Sequence, residues 1–149
     1  MTDLSPEIEA AFASFVESHG FLSRLGVEFD EVSTGRVTMR VPYDETLTNP
    51  RRTGAASVHG GVAATLVDTS SAFALRTTYE DPATASLTTI DLDVSYLRPA
   101  TGDLIADAEV VRAGGRVGVT RVLVESETPD EGVAPVAAGM TNYRLFRGD

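Results

Sequence analysis

The stretch His59–Leu75, HGGVAATLVDTSSAFAL, decides the fold of this 149-residue chain. Asp68 is its only acidic or basic residue apart from the histidine, and the other positions are apolar, small or hydroxyl-bearing. A helix that is apolar or small all round is a buried helix. We therefore predict a buried central helix from His59 to about Tyr79, whose small residues let a sheet approach closely.

Shorter elements surround this helix. The run Ser5–Pro6–Glu7 is typical of a helix start, and we expect that first helix to end near His19–Gly20. Alternation of apolar and polar residues predicts six strands, at 27–32, 36–42, 85–97, 104–112, 116–126 and 133–146. The pattern favours an α+β fold with a mainly antiparallel sheet, residues 1–19 forming an N-terminal helix and 20–149 a single domain.

The charge balance excludes several classes of partner. The chain has 22 Asp and Glu against 12 Lys and Arg, a formal net charge of −10. Nucleic acids and anionic membrane surfaces are not expected partners, because both need a basic stripe. The absence of cysteine and the presence of only two histidines give no basis for a metal site, and we expect no metal and no cofactor.

All 12 basic residues are arginine, since the chain contains no lysine. An acidic, lysine-free composition resembles that of proteins from salt-accumulating halophilic archaea, although a high-GC genome gives the same bias towards arginine. The beginning of the chain, MTDLSPEIEA, has no basic or apolar signal region, and no apolar stretch is long enough to span a bilayer. We expect a cytoplasmic protein.

Asp68 is the residue that needs an explanation. A carboxylate within a buried helix costs several kcal/mol to desolvate unless it is paired, hydrogen-bonded or faces a wet cavity. It is either a structural group paired with an arginine such as Arg76 or Arg98, or a functional acid, and we favour the second.

His59–Gly60–Gly61 opens the same helix. Two glycines at a helix start leave backbone N–H groups uncovered, which suits an oxyanion hole for a carbonyl oxygen. The alternative is a plain turn into the helix that requires a positive φ.

The spacing of these two features predicts a dimer. Nine residues separate His59 from Asp68, an axial rise of about 13.5 Å and about half a turn out of phase. One helix therefore cannot direct both groups at one substrate atom. If they cooperate, a second copy of the helix must supply the other half across a two-fold axis.

The residues resemble a known family. The run Val58–Asp68, VHGGVAATLVD, is similar to the central-helix motif of hotdog-fold acyl-CoA thioesterases of the phenylacetic-acid-degradation (PaaI-like) type. The strand Thr89–Pro99 with Gly102–Leu104 also fits, as do Gly115–Arg116 and Val136–Gly139. The likeness covers about residues 20–147 and implies a hotdog fold.

The resemblance implies hydrolysis of an acyl-CoA thioester to a free acid and CoA. The N–H groups of the His59–Gly60–Gly61 turn, that of Gly60 first, would polarise the thioester carbonyl, with His59 positioning the loop. Asp68 of the other subunit would be the general base or the nucleophile. Thr89 stands where the family often has a hydroxyl that orients the water.

The chain departs from the family pattern before the histidine. The family tends to have an Asn six residues and a Gly three residues before it, where this chain has Thr53 and Ala56. An apparent insertion at Arg51–Arg52 displaces the nearest candidate, Asn49, which could reach the site if the longer loop folds back.

Substrate-binding candidates follow from the chemistry of CoA. Its phosphates need local basic groups, although each candidate is also an ordinary surface arginine. An apolar wall would hold the acyl group, although its candidates are equally good core residues. The basic candidates are Arg51, Arg52, Arg98 and Arg116, and the apolar ones are Leu47, Val62, Leu66 and Phe73.

Two other functions stay open. A non-catalytic acyl-CoA-binding hotdog module would not need Asp68, and a hotdog dehydratase or hydratase relies on a histidine base where this chain has an aspartate. Self-association as a dimer or a dimer of dimers is expected in either case.

Overall fold

A computed structural model describes residues 3–51 and 54–148 of the chain. One six-stranded antiparallel sheet, in the order β1-β2-β4-β5-β6-β3, packs against a long helix. This confirms the predicted α+β hotdog fold. The helices are α1 (Pro6–Ser18), α2 (Gly20–Leu25) and α3 (Gly60–Arg76), and the strands are β1 (Glu28–Ser33), β2 (Arg36–Val41), β3 (Ser86–Tyr96), β4 (Leu104–Ala113), β5 (Val117–Thr128) and β6 (Gly132–Phe146).

The N-terminal segment is part of the same core. Ser5 caps α1 by accepting a hydrogen bond from the N–H of Ile8, and Pro6 occupies the first turn. Phe12 and Val16 of α1 are buried in the cluster that also holds Leu66 of α3. The predicted N-terminal helix therefore packs on the hotdog core.

A second short helix separates α1 from the sheet, and the sequence pattern did not predict it. The imidazole Nδ1 of His19 accepts a hydrogen bond from the N–H of Leu22 at 3.2 Å, which caps the start of α2. Gly26 ends α2 with a positive φ of 72°. The apolar periodicity of α1 does stop at His19, but a cap and a terminal glycine with only six residues between them define a further short helix.

Close contact between α3 and the sheet depends on a glycine in β6. A Cβ added at Gly139 would lie 2.6 Å from the backbone O of Asp93 and 3.0 Å from Cγ1 of Val67. No side chain fits at this position without moving the helix or β3. Gly139 therefore sets how near α3 lies to the sheet.

A buried chain of hydroxyl groups also joins α3 to the sheet. The hydroxyl of Ser71 lies 2.6 Å from that of Thr120 in β5, which in turn lies 2.6 Å from that of Thr141 in β6. All three side chains are fully buried. Buried hydroxyls are tolerated when they are hydrogen-bonded, so this chain fixes the rotation of α3 as well as its distance from the sheet.

Strand β3 lies at one edge of the sheet and carries large apolar side chains that solvent reaches. Ile90 is 60% exposed, Tyr96 56% and Leu92 39%. A long edge strand with exposed apolar residues is a site where another strand can pair. No helix within the described ranges is long and apolar enough to cross a membrane.

We predict that Gly139→Ala destabilises the fold, because the added methyl group is forced against a backbone oxygen that cannot rotate away. The expected loss is about 1–3 kcal/mol in the free energy of unfolding, as in other overpacked cores. Gly115→Ala is the matched control, because a Cβ there meets nothing within 4 Å. Urea unfolding of both variants measures the difference, and equal midpoints would contradict the role given to Gly139.

Candidate active site

The turn His59–Gly60–Gly61 begins α3, and its histidine caps the helix. The Nδ1 atom of His59 accepts a hydrogen bond from the N–H of Gly61 at 2.8 Å, and the N–H of His59 donates to the O of Leu47. The N–H of Gly61 is therefore engaged, which corrects the expectation that it faces the substrate. Among residues 3–51 and 54–148, none accepts a hydrogen bond from the N–H of Gly60. The helix start thus offers one unoccupied donor with the positive end of the helix dipole behind it.

Gly60 borders a cavity of about 400 Å³. The hydroxyl of Tyr96 donates to the O of Gly60 at 2.6 Å. A Cβ added at Gly60 would lie 3.0 Å from two carbons of the Tyr96 ring. Arg98 lines the same cavity and is held by the carboxylate of Glu131 and, at 2.8 Å, by the O of Pro135. The cavity therefore combines a backbone donor, an aromatic wall and a cation.

Asp68 lies two turns further along α3 and borders a different cavity, of about 310 Å³. Its side chain is half-buried, and its Oδ1 atom accepts hydrogen bonds from Thr89 at 2.8 Å and from the hydroxyl of Tyr143. Other residues lining the cavity include Phe21 and Leu92. A carboxylate that is hydrogen-bonded on one side and open on the other can act as a base or a nucleophile.

The ion-pair alternative for Asp68 is wrong within the described part of the chain. Arg98 pairs with Glu131, as given above. Arg76 stacks on the rings of Phe15 and Phe73 and donates to the O of Ala85 at 2.6 Å, and burial lowers the pKa of its guanidinium. Hydroxyl groups, rather than a cation, solvate the carboxylate.

Tyr143 is a contact of Asp68 that the sequence analysis missed. It is 2% exposed, and burial, followed by the hydrogen bond to Asp68, raises the pKa of its phenol above the ordinary value of 10.0. Two signals could have found it. Tyr143 shares the inward register of β6 with Thr141 and Leu145, and a buried tyrosine hydroxyl normally has a hydrogen-bond partner.

The structure does not bring the loop candidates to either of these two cavities. Asn49 and Arg51 line a third cavity, where the N–H of Asn49 donates to the O of Ser57. Arg52 lies outside the described residues. Arg116 is exposed beside Leu145 at the far end of β6, whereas Tyr96 and Gly60 lie near its beginning. Of the basic candidates that the structure describes, Arg98 is therefore the one that lies beside Gly60 within a single chain.

The apolar candidates for the acyl wall pack in or against the core, and none of them lines the cavity at Gly60 or the cavity at Asp68. Leu66 has no exposed surface, and Phe73 is 2% exposed within an aromatic cluster with Phe12, Phe15 and Phe29. Val62 is also buried, and Leu47 is half-buried against the core. Apolar spacing alone does not separate a core face from the wall of a cavity.

The described residues contain no group of three or more His, Cys, Asp or Glu side chains that could hold a metal ion. The groups available for chemistry are a carboxylate with its hydroxyl donors at Asp68 and, in the separate cavity, a backbone N–H at Gly60. This set suits acid–base or nucleophilic chemistry at a carbonyl group.

Comparison with known proteins identifies the family. The family model described as the thioesterase superfamily matches residues 55–133, just over half of the chain. The chain belongs to the thioesterase superfamily. A protein of Halobacterium salinarum named "putative esterase" is 49% identical over 142 residues, which are 94% of this chain and 93% of that protein.

More distant proteins of related name share this fold or part of this sequence. Acyl-coenzyme A thioesterase 13 of Homo sapiens is 26% identical over 82% of this chain and 84% of its own length. A thioesterase family protein from Silicibacter pomeroyi, 23% identical, superposes with a TM-score of 0.80 over 95% of this chain and 99% of its own, which shows the common fold. This thioesterase is accordingly an enzyme that hydrolyses thioesters.

We predict that Tyr143 makes this thioesterase unstable at high pH. Because its pKa is raised in the folded protein, its contribution to stability is complete below pH 10 and is lost as the pH rises further, by about 1.4 kcal/mol per pH unit. Tyr143→Phe should remove this part of the alkaline loss. Urea midpoints between pH 8 and pH 11 measure it, and the absence of lysine and cysteine leaves few other groups to titrate there.

Tyr79→Phe is the matched control for this titration, because the Tyr79 hydroxyl also donates to a backbone O, that of Ser86, at 2.7 Å. The control should retain the full alkaline loss of the unmodified protein. An alkaline loss in Tyr143→Phe as large as in Tyr79→Phe would refute the assignment.

Proposed function

We propose that this thioesterase hydrolyses acyl-CoA thioesters, with Asp68 as the reacting carboxylate and the N–H of Gly60 as the donor to the thioester carbonyl. The observation that carries the proposal is the pair of half-sites. Asp68 is a half-buried carboxylate open to a cavity, and Gly60 is an unoccupied donor in another cavity. The name of the human relative, an acyl-coenzyme A thioesterase, supports CoA as the thiol.

The two half-sites support a shared site in a dimer. Gly60 and Asp68 border separate cavities on one helix, so neither cavity of a single chain is complete. Strand β3 runs beside both of them, with Thr89 at Asp68 and Tyr96 at Gly60. If the β3 strands of two copies pair antiparallel about an axis near the strand's middle, the Asp68 half of one copy faces the Gly60 half of the other. Such pairing also covers Ile90.

The same symmetry supplies basic groups for the CoA phosphates. Arg98 already borders the Gly60 cavity. Arg116 lies at the end of the sheet where β3 begins, which antiparallel pairing brings towards the Gly60 end of the second copy. Two guanidinium groups would then flank one substrate and offset the overall charge of −10 near it. The reaction consumes water and requires no cofactor.

Two routes of hydrolysis fit this arrangement. As a base, Asp68 accepts a proton from a water whose oxygen attacks the thioester carbon. The C–S bond then breaks, and the CoA thiolate takes up the proton. As a nucleophile, Asp68 itself attacks, CoA leaves as thiolate, and water hydrolyses the mixed anhydride. In both routes the carbonyl oxygen becomes an oxyanion, which the N–H of Gly60 stabilises.

The cavity at Asp68 is the better candidate for the acyl group. Phe21 of α2, which is 55% exposed, and Leu92 of β3 line it together with Ala64 and Thr65. These residues replace Leu66 and Phe73 as the proposed acyl contacts, because they present open apolar surface beside the reacting carboxylate.

We predict that Asp68→Asn lowers kcat for acyl-CoA hydrolysis at least about 100-fold, because the amide accepts no proton and is a poor nucleophile. A thiol-release assay against aliphatic and aryl acyl-CoAs measures it, at low and at multimolar KCl because salt screens repulsion between the acidic protein and CoA. Asp130→Asn in the exposed turn between β5 and β6 makes the same change in net charge and should leave kcat unchanged. Full activity in Asp68→Asn would refute the proposal.

The same assay tests CoA as the thiol. Absence of thiol release by the unmodified protein from every acyl-CoA, under both salt conditions, would contradict acyl-CoA as the substrate.

The shared site makes a second prediction, based on two substitutions of Gly60. Gly60→Pro removes the N–H, and proline is well tolerated at the first helical position, with His59 already at φ −58° and ψ 133°. Gly60→Ala keeps the N–H and adds a similar contact with Tyr96. We expect Gly60→Pro to lose about 10²–10³ in kcat and Gly60→Ala to keep most of it.

Mixing Gly60→Pro with Asp68→Asn tests whether the site is shared. After the subunits exchange, each mixed dimer has one site with both residues intact, so about one quarter of wild-type activity should return. Mixing Gly60→Ala with Asp68→Asn controls for the contact with Tyr96. If the Gly60→Pro mixture stays as inactive as its parents after proven exchange, each site lies within one chain.

A further inference from the structure

We propose that Tyr143 is a positioning residue that, together with Thr89, holds Asp68 so that Oδ2 is its reacting oxygen. This inference rests on the proposed function, since it concerns the carboxylate assigned there. Nothing in the resemblance to the family or in the comparisons assigns a role to Tyr143.

Both donors converge on the same carboxylate oxygen. Thr89 Oγ1 lies 2.8 Å from Oδ1 of Asp68, and the hydroxyl of Tyr143 is hydrogen-bonded to that same atom. In the part of the chain that the structure describes, no group donates to Oδ2. The carboxylate therefore has one oxygen committed to the protein and one oxygen with its lone pairs available.

This asymmetry matters because an aspartate carboxylate turns easily. Its last torsion is an sp³–sp² bond with broad, roughly two-fold preferences, so the side chain alone does not hold one oxygen towards a substrate. Two donors on Oδ1 restrict that rotation. They also occupy the lone pairs of Oδ1, which leaves Oδ2 as the oxygen available to a substrate.

Two acceptors lie within reach of the Tyr143 hydroxyl, the carboxylate and the backbone O of Asp68, and the charge of the carboxylate favours the first. The backbone O of Asp68 lies 2.7 Å away, close enough to accept, but the hydroxyl carries one proton. An ionised carboxylate is the stronger acceptor. The charged groups that act on Tyr143 are Asp68 and Arg76, and burial raises the pKa of the phenol, so the donor keeps its proton at working pH.

The position of Tyr143 is rigid. It lies on β6 directly opposite Thr89 of β3, with Gly118 of β5 on its other side. Residues opposite each other in an antiparallel pair project to the same face, so both hydroxyls reach α3 from neighbouring strands. The ring packs with Leu75 and Leu145 in a small buried cluster. A donor on a strand fixed on both sides holds its target more closely than one on a loop.

Tyr143→Phe tests the inference because it removes the hydroxyl and keeps the ring in its buried cluster. We expect kcat to fall about 10–100-fold, which is the usual effect of removing a hydrogen-bond partner that orients a functional side chain. KM should change less than about two-fold, because substrate binding does not need the orientation of one carboxylate.

Tyr79→Phe is the matched control, since it deletes a hydroxyl that donates only to a backbone O, and kcat should be unchanged. A purely structural role of Tyr143 predicts a lower urea midpoint with kcat and KM as in the wild type. A lower midpoint with wild-type kcat would therefore overturn the inference.

Thr89→Val keeps the test decisive if Tyr143→Phe fails to fold. It removes the second donor to Oδ1, and because Thr89 lies on an edge strand the substitution should disturb folding less than one at Tyr143. It should also lower kcat and leave KM unchanged. Wild-type kcat in Thr89→Val would overturn the shared-oxygen geometry.

Asp68→Asn, measured alongside, separates this inference from the proposed function. If Asp68→Asn is inactive while Tyr143→Phe is fully active, only the inference on Tyr143 is wrong. If Asp68→Asn is itself fully active, the proposed function is wrong and the inference is wrong with it.

Discussion

The close seating of α3 on the sheet is the constraint on which the rest of this molecule depends. Gly139 leaves room for Val67, and the hydroxyl chain from Ser71 to Thr141 fixes the rotation of the helix. With distance and rotation both fixed, Asp68 meets the ends of two side chains rather than open solvent. A helix displaced outwards by even the width of a methyl group would lose hydrogen bonds that depend on distances below 3 Å.

The same seating explains why a carboxylate is tolerated in a mainly apolar helix. Hydroxyl donors on β3 and β6 provide hydrogen bonds to one oxygen without cancelling the charge, whereas an arginine partner would neutralise it. Arg76, two turns further along α3, stacks on the rings of Phe15 and Phe73 and donates a hydrogen bond to the O of Ala85. Arg76 is thus kept apart from the half-buried Asp68, whose hydrogen-bond donors among the described residues are hydroxyl groups.

Much of the fold could be predicted because it depends on local patterns. Strands β2 and β4 begin where the alternation of apolar residues predicts, and α3 begins at the residue after His59. The helix α2 could not be predicted from periodicity, because six residues are too few to show one; it depends on the cap from His19 and on Gly26.

The site was less predictable for a physical reason. The residues themselves pointed to Asp68 and Gly60 and the resemblance added Thr89, and the structure finds Asp68 beside Thr89 and Gly60 at the helix start. The partner Tyr143 is 75 residues from Asp68 in the chain, and only the register of β6 against β3 brings them together. Phe73 lies in an aromatic cluster of the core rather than at either cavity, because a helix in a core presents apolar residues on several sides and sequence spacing does not tell which side faces a cavity.

Edge strand β3 lies beside both half-sites and is also the strand through which the proposed dimer pairs. Its inward side chains border both cavities, Leu92 the one at Asp68 and Tyr96 the one at Gly60, while its free edge exposes Ile90. A monomer would have to leave this apolar edge in water and keep its two half-sites apart on one helix. The proposed pairing through β3 would remove both difficulties with one contact, because the strand that lacks a neighbour is the strand that touches both cavities. The exposed edge and the divided site are therefore two consequences of the same arrangement.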